Sequence, residues 1–187
     1  MIVKFKKQNI MSYTYKYPHY AVTVDNVIFN FKDKKNPKVL LITRKNDPFK
    51  GCYALPGGFL DPEDVDLMSA AKRELFEETN LSGINLYEIC SLSKIGRDPR
   101  ERVISIVHVG VCNDMDVDKV KAKDDAATIS WVPLFSLLSS FSLPPLPLAF
   151  DHITVFSKAI KKILENHNYD DEFKLFLQYL YIQFFVK

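Results

Sequence analysis

The densest chemistry in the chain is Arg73-Glu74-Leu75-Phe76-Glu77-Glu78, three glutamates and an arginine within six residues. Glu74 and Glu78 stand four residues apart, so a helix would place both on one face. Two carboxylates held that close repel unless a cation neutralises them. Oxygen-only ligands suit a hard ion such as magnesium or manganese. Such an ion can bridge to a bound diphosphate, polarise phosphorus and help generate hydroxide from water. Arg73 and Glu77 are also four apart and can pair, leaving Glu74 and Glu78 for the metal. A lone acidic run of this kind more often forms a solvated, salt-bridged helix face. The turn just before it, Leu55-Pro56-Gly57-Gly58, reverses that balance. Its small residues let a backbone carbonyl and amides approach phosphates closely.

These residues need elements to hold them. From about Asp66 to Thr79, Leu67, Ala71 and Leu75 recur at four-residue spacing among good helix formers, which predicts a helix. Asn80 stands where a left-handed closing residue belongs. Upstream, YAVTVDNVIFNF alternates and is rich in Val, Ile and Phe, as a strand is. After the turn DKKNPK, VLLITRK reads as a more buried strand, paired with the first as a hairpin. A short strand is expected at CYAL, within a stretch dense in Pro, Gly and Asp. Further strands are expected at INLYEICSLSKI, RVISIVHVGVC and TISWVPL, with the polar NDMDVDKVKAKDDAA as a loop. LPPLPLAF should be extended, and Asp151 should cap a helix reaching about Leu164. DDEFKLFLQYLYIQFFVK is a helix or an added strand. The interleaving predicts an α/β protein, an α+β sandwich with a mixed central sheet between helices.

At 187 residues the chain suits one domain. We divide it into an N-terminal arm (1–17), a catalytic domain (18–167) and an amphipathic tail (168–187) that packs or dimerises. A net charge of +2 gives no electrostatic argument for a nucleic-acid or membrane-surface partner. No apolar run approaches the roughly 20 residues of a membrane span. The basic start lacks the apolar core of a signal peptide. Cys52, Cys90 and Cys112 form no C-x-x-C pair and fit the reduced thiols of a cytoplasmic protein.

From Gly58 to Leu81 the chain resembles the Nudix hydrolase family. The family pattern is a glycine, five residues, a glutamate, seven residues, then Arg-Glu-aliphatic-x-Glu-Glu-x-Gly-aliphatic. Two departures stand out. One extra loop residue puts the early acid on Asp64 counted from Gly58, or on Val65 counted back from Arg73. Asn80 replaces the final glycine. The resemblance implies the Nudix fold and a magnesium-dependent hydrolase, with manganese as a possible substitute. It also implies that Glu74, Glu78 and the carbonyl of Gly57 or Gly58 hold the metal. Glu77 would pair with Arg73 and reach a further ion.

The likeness extends over roughly residues 18–165. YPHYAVTVDNVIF, LLITRKNDPFKGCYALPGGF, GRDPRERVIS and LPLAFDH are similar to one subgroup, ADP-ribose pyrophosphatases and Nudix-related transcriptional regulators. That likeness implies a role in nucleotide metabolism, splitting ADP-ribose into AMP and ribose 5-phosphate. Arg97, Arg100 and Arg102 surround one turn, where their guanidinium forks suit diphosphate or ribose-phosphate oxygens. They suit equally well a turn whose arginines pair with Asp98 and Glu101. Asp124 and Asp125 occupy a loop where such enzymes carry an acid that orients water, and Asp125 is the candidate. Phe49, Tyr53 and Trp131 can stack on a nucleobase or simply pack in the core; we take Phe49, with Gly57, as substrate-binding. His152 is expected to cap and pack, and His19, His108 and His167 show no metal-ligand spacing.

The expected partners are a small nucleoside diphosphate derivative and a second copy of the chain, not a membrane or nucleic acid. Two other functions compete. A regulator would sense ADP-ribose, but such proteins add a winged-helix module, and the stretch after Asn168 is short, aromatic and apolar. A sanitising hydrolase would act on an oxidised nucleotide triphosphate, against which the subgroup features count.

Overall fold

Strand β1 (Ala21–Asn30) and strand β2 (Lys38–Arg44) pair antiparallel, meeting at Phe29↔Val39 and Asn30↔Lys38. This is the hairpin expected from their apolar patterns. The computed structural model describes residues 16–112, 120, 126–138, 147–165, 175, 177–179 and 181–182. β1 also runs parallel to β6 (Val103–Val111), from Ala21↔Val103 to Phe29↔Val111, and β6 pairs antiparallel with β5 (Leu86–Leu92). β7 (Ala126–Pro133) and the short β3 (Tyr53–Ala54) add to β2, and β4 (Gly57–Phe59) adds to β1. Among the described residues these strands make one mixed seven-stranded sheet.

Helices cover both faces of this sheet, so β1 is buried from Thr23 to Asn30 instead of having one wet face. Val24, Ile28 and Leu40 pack under Ala70, Ala71 and Leu75 of α1 (Leu67–Thr79). Val27, Phe29, Val39 and Leu41 point the other way, onto Val155, Phe156, Ile160 and Ile163 of α3 (His152–Leu164). Each large apolar side chain buried in these layers contributes about 1.5–3 kcal/mol. A short α2 (Leu134–Leu138) follows β7 directly.

α1 begins and ends as its sequence dictates. The Asp66 carboxylate accepts from Ser69 N (2.7 Å), and Ser69 Oγ accepts from Asp66 N (2.9 Å), closing a reciprocal cap. At the far end Asn80 adopts φ 63°, and its N–H donates to Phe76 O at 2.8 Å.

The start of α3 differs from expectation. Asp151 sits at the cap position but makes no capping hydrogen bond with its side chain. Its carboxylate is taken by Arg97, at 2.7 and 3.2 Å, a two-pronged ionic contact stronger than a single bond to a backbone amide. In the tail, residues 175, 177–179, 181 and 182 are helical, so this part is not an added strand. Leu177 is fully buried in the α3 layer, while Leu175, Tyr179 and Ile182 are exposed. Expectations for the arm before Lys16, and for Asp124 and Asp125, lie outside the described residues. Among the described residues no helix is long and apolar enough to cross a membrane.

Candidate active site

The turn Leu55–Gly58 is pinned by three different elements. Leu55 N–H donates to His152 Nδ1 (3.0 Å), Asn26 N–H donates to Pro56 O (2.8 Å), and Gly57 N–H donates to Glu78 Oε2 (2.8 Å). Both glycines are needed because something already fills the space a side chain would take. A Cβ on Gly57 would lie 2.1 Å from Val24 O, and one on Gly58 would lie 2.6 Å from Glu74 Oε1. Asn26 ties the turn to the helix as well, its Nδ2 donating to Ala71 O at 3.0 Å. The sheet, α1 and α3 therefore converge on four residues of backbone.

Arg73 organises the acids. Its Nε and Nη2 donate to the two carboxylate oxygens of Asp64 (2.9 and 2.8 Å), and its Nη1 donates to Glu74 (2.8 Å) and Glu77 (3.0 Å). Of the two positions the loop count gave, Asp64 is the one Arg73 grips, while Val65 is 90% exposed. Arg73 does not pair with Glu77 alone: five donors on one planar fork serve three carboxylates, and Glu74 is one of them. The hydrogen bonds from Arg73 hold Asp64 below the usual carboxylate range, and the same contacts, Asp64 first, keep Arg73 charged. Burial raises Glu74 above the usual range; Arg73 offsets this only in part, and Glu77 and Asp64 push it further up.

The oxygen set suits a divalent cation, though it is incomplete. Among the described residues no three acidic, histidine or cysteine side chains converge as a ready-made cage. Glu74 and Glu78 supply carboxylates, and the tight packing at Gly58 brings backbone close to Glu74. Magnesium is commonly held by one or two carboxylates, with water and substrate phosphates filling the remaining positions.

These groups form one wall of a cleft of about 470 Å³, within the size range of ligand sites. Arg44, Arg97, Arg100, Phe150 and His152 also line it. Arg97 is buried, pairing with Asp151 and lying 3.7 Å from Asp25 Oδ2. Arg100 is forked onto Asp98 and lies 4.9 Å over the Phe59 ring. Burial works against the charge on Asp98, but Arg100 overrides it and holds the acid low. Arg102 and Phe49 do not line the cleft. Arg102 lies 5.5 Å over Tyr20, and Phe49 meets Phe150 edge-on at 4.8 Å. Tyr53 and Trp131 pack against the core.

Sequence reasoning missed Asp25, Asn26, Arg44 and Phe150, and assigned His152 only a cap and packing. The Asp25 carboxylate accepts from the Ser105 hydroxyl and lies 3.6 Å from His152 Nε2. A signal was present: Asp25-Asn26 interrupts an otherwise apolar strand, and buried polar groups persist where they have partners. Phe150 carries φ 52°, unusual for a bulky residue, which only the backbone reveals.

His108 and His152 are both pushed below the ordinary histidine value of 6.5, chiefly by burial. The unfolded chain therefore binds more protons than the native one as pH falls through that value. This stabilisation is complete above about pH 6.5 and is lost on acidification. Urea unfolding should give a lower free energy at pH 5.5 than at pH 7.5, before the carboxylates Asp64 and Asp98 titrate. Equal stability at the two values would contradict the buried neutral state of these rings.

The family model of the NUDIX domain matches residues 19–155. Over 148 residues the chain is 41% identical to the ADP-ribose pyrophosphatase of Methanocaldococcus jannaschii, spanning 79% of this chain and 76% of that protein. It is 32% identical to an ADPR responsive transcriptional repressor of Acinetobacter baylyi, spanning 82% of this chain and 58% of the repressor. Among solved structures, the NUDIX domain of Shewanella oneidensis NrtR complexed with ADP ribose matches with a TM-score of 0.70 at 28% identity. That match covers 79% of this chain and 90% of the other.

Proposed function

Because the chain belongs to the NUDIX family, we propose that it is a metal-dependent pyrophosphohydrolase that splits ADP-ribose into AMP and ribose 5-phosphate. The observation that carries this reading is the 41% identity with an ADP-ribose pyrophosphatase, spread over 79% of the chain. The cleft supports it, since the carboxylates Glu74 and Glu78 and the guanidinium groups of Arg44, Arg97 and Arg100 line the same space.

In this reading Glu74, Glu78 and the carbonyl of Gly57 or Gly58 hold magnesium, or manganese in its place, with Glu77 beside them. When bound, the ion supplies positive charge to the diphosphate and lowers the pKa of an attached water. Arg73 keeps the acids aligned. Arg100, at the exposed side, exchanges the Asp98 carboxylate for phosphate oxygens as substrate enters, a like-for-like replacement for a guanidinium fork. Arg97 stays on Asp151 and adds its charge to the substrate side of the cleft. The oxygen of water attacks one phosphorus while the water's proton passes to solvent, and the bridging P–O bond breaks. Its electron pair leaves with the other phosphate. Asp125 is the acid this reading assigns to orienting the water.

The test is a panel of ADP-ribose, NADH, dinucleoside polyphosphates and oxidised dGTP, with magnesium or manganese and chromatographic product analysis. ADP-ribose should turn over fastest, giving AMP and ribose 5-phosphate. Binding of ADP-ribose without turnover would make the chain a sensor instead. Preferred cleavage of oxidised dGTP would make it a sanitising enzyme. We also place the chain in the cytoplasm as a homodimer. Its free Cys52, Cys90 and Cys112 support the first, and the exposed apolar Leu175, Tyr179 and Ile182 support the second. Light scattering on the same preparation reads the mass, and a monomer would remove the dimer.

A further inference from the structure

We propose that His152 is a positioning residue for the metal-bearing turn: it holds Leu55 N–H, and through it the Gly57–Gly58 backbone, against Glu74 and Glu78. The inference rests on the hydrolase reading of the site, and goes beyond it in assigning α3 a part in the geometry of the metal half-site.

The hydrogen-bond pattern sets the state of the ring. A backbone N–H can only donate, so His152 Nδ1 must be the unprotonated acceptor and the ring proton sits on Nε2. Nε2 faces Asp25 Oδ1 at 3.6 Å, and Asp25 is itself held by the Ser105 hydroxyl. Phe150 lies 5.4 Å from the ring on another side. His152 is 4% exposed, and its one lone pair is already engaged. It lines the cleft yet has no means of accepting a proton from substrate or water without releasing Leu55. Its work is therefore mechanical.

That work is specific. Of the anchors named above, Asn26 comes from the sheet, which also pairs Asp25 and Val24 with Gly57 and Gly58, and Glu78 comes from α1, while His152 comes from α3, 97 residues from Leu55 in sequence. The neighbouring residue, Asp151, grips Arg97 on another part of the cleft wall. Two adjacent residues at the start of α3 thus hold the metal turn and an arginine of the substrate wall.

A histidine that merely packs would tolerate any replacement that preserves folding. A positioning histidine requires an acceptor where Nδ1 stands. His152→Leu keeps bulk and removes the acceptor, whereas His152→Asn places an amide oxygen close to Nδ1. Thermal melts establish folding, and paramagnetic resonance of free Mn²⁺, without substrate, reads metal binding. H152L should bind Mn²⁺ about 10-fold more weakly or worse, the effect expected when an outer-shell partner of a metal site is lost. H152N should bind it nearly as the unmodified chain does. The magnesium needed for half-maximal hydrolysis should shift in parallel. Should H152L fail to fold, His152→Gln, with its oxygen one bond farther out, replaces it as the weak binder set against H152N. A folded H152L that binds Mn²⁺ normally would overturn the proposal, as would H152N and H152Q weakened alike. An unmodified chain that binds Mn²⁺ but leaves every compound of the panel intact would overturn the hydrolase reading alone. The Mn²⁺ comparison would still decide the role of His152.

Discussion

Glu78→Gln is expected to abolish metal-dependent hydrolysis of ADP-ribose, lowering turnover by about three orders of magnitude or more, while the protein stays folded. The charge of Glu78 is what a cation needs, and losing a metal ligand removes several kcal/mol of transition-state stabilisation. The fold needs something else from the same side chain. Glu78 is 7% exposed, and its Oε2 accepts from Gly57 N–H at 2.8 Å. A glutamine of equal size still offers an oxygen to that amide, so the melting temperature should barely move. Steady-state assays with a magnesium titration, beside thermal melts, separate the two effects. A folded variant with near-normal turnover would refute the metal assignment. Glu77→Gln should cost less, because Glu77 is 44% exposed and its carboxylate already belongs to Arg73.

The second large effect should divide between two neighbouring glycines. At Gly57 an added methyl would meet Val24 O at 2.1 Å and Asp25 Cα at 3.0 Å. Both are backbone of β1, and neither can yield without parting β4 from the sheet. Gly57→Ala should therefore cost about 3 kcal/mol or more of folding stability, the upper range for overpacking. At Gly58 the obstacle is Glu74 Oε1 at 2.6 Å, the far end of a side chain that can rotate away. Gly58→Ala should fold, yet with a displaced metal ligand and turnover lower by about 100-fold, the size of loss that ~1 Å misplacements bring. Chemical denaturation and metal titration of the two variants should thus give opposite patterns. Gly57→Ala with unchanged stability, or Gly58→Ala with unchanged turnover, would sink the corresponding half of the argument.

Much of this site could be read before any coordinates. Helix α1 is local physics: Asp66 and Ser69 close its start, Asn80 closes its end, and Leu75 and Ala71 supply the buried stripe. Once the helix is granted, the common face of Glu74 and Glu78 follows from periodicity alone. The layered α/β architecture was legible for the same reason, since patterns such as VLLITRK report burial directly.

What stayed hidden depends on side chains meeting across long separations. Counting along the loop could not choose between Asp64 and Val65, because an insertion moves the count; Arg73 chooses, by reaching Asp64 and not Val65. Local rules alone make Asp151 a cap, but a guanidinium from 54 residues away outcompetes an amide for its carboxylate. The three arginines of one turn looked equivalent in sequence. Only the fold sends Arg97 and Arg100 to the cleft and Arg102 to Tyr20.

The sequence by itself determined the acids that share a helix face, the small residues before them and the class of ion they suit. These follow from spacings of a few residues, within reach of helix geometry and turn chemistry. The tertiary structure decided which partner each charge takes, and that His152 holds the Leu55–Gly58 turn. Those contacts join α3, β1 and α1, and their distances are set by packing across the sheet, which no local spacing encodes.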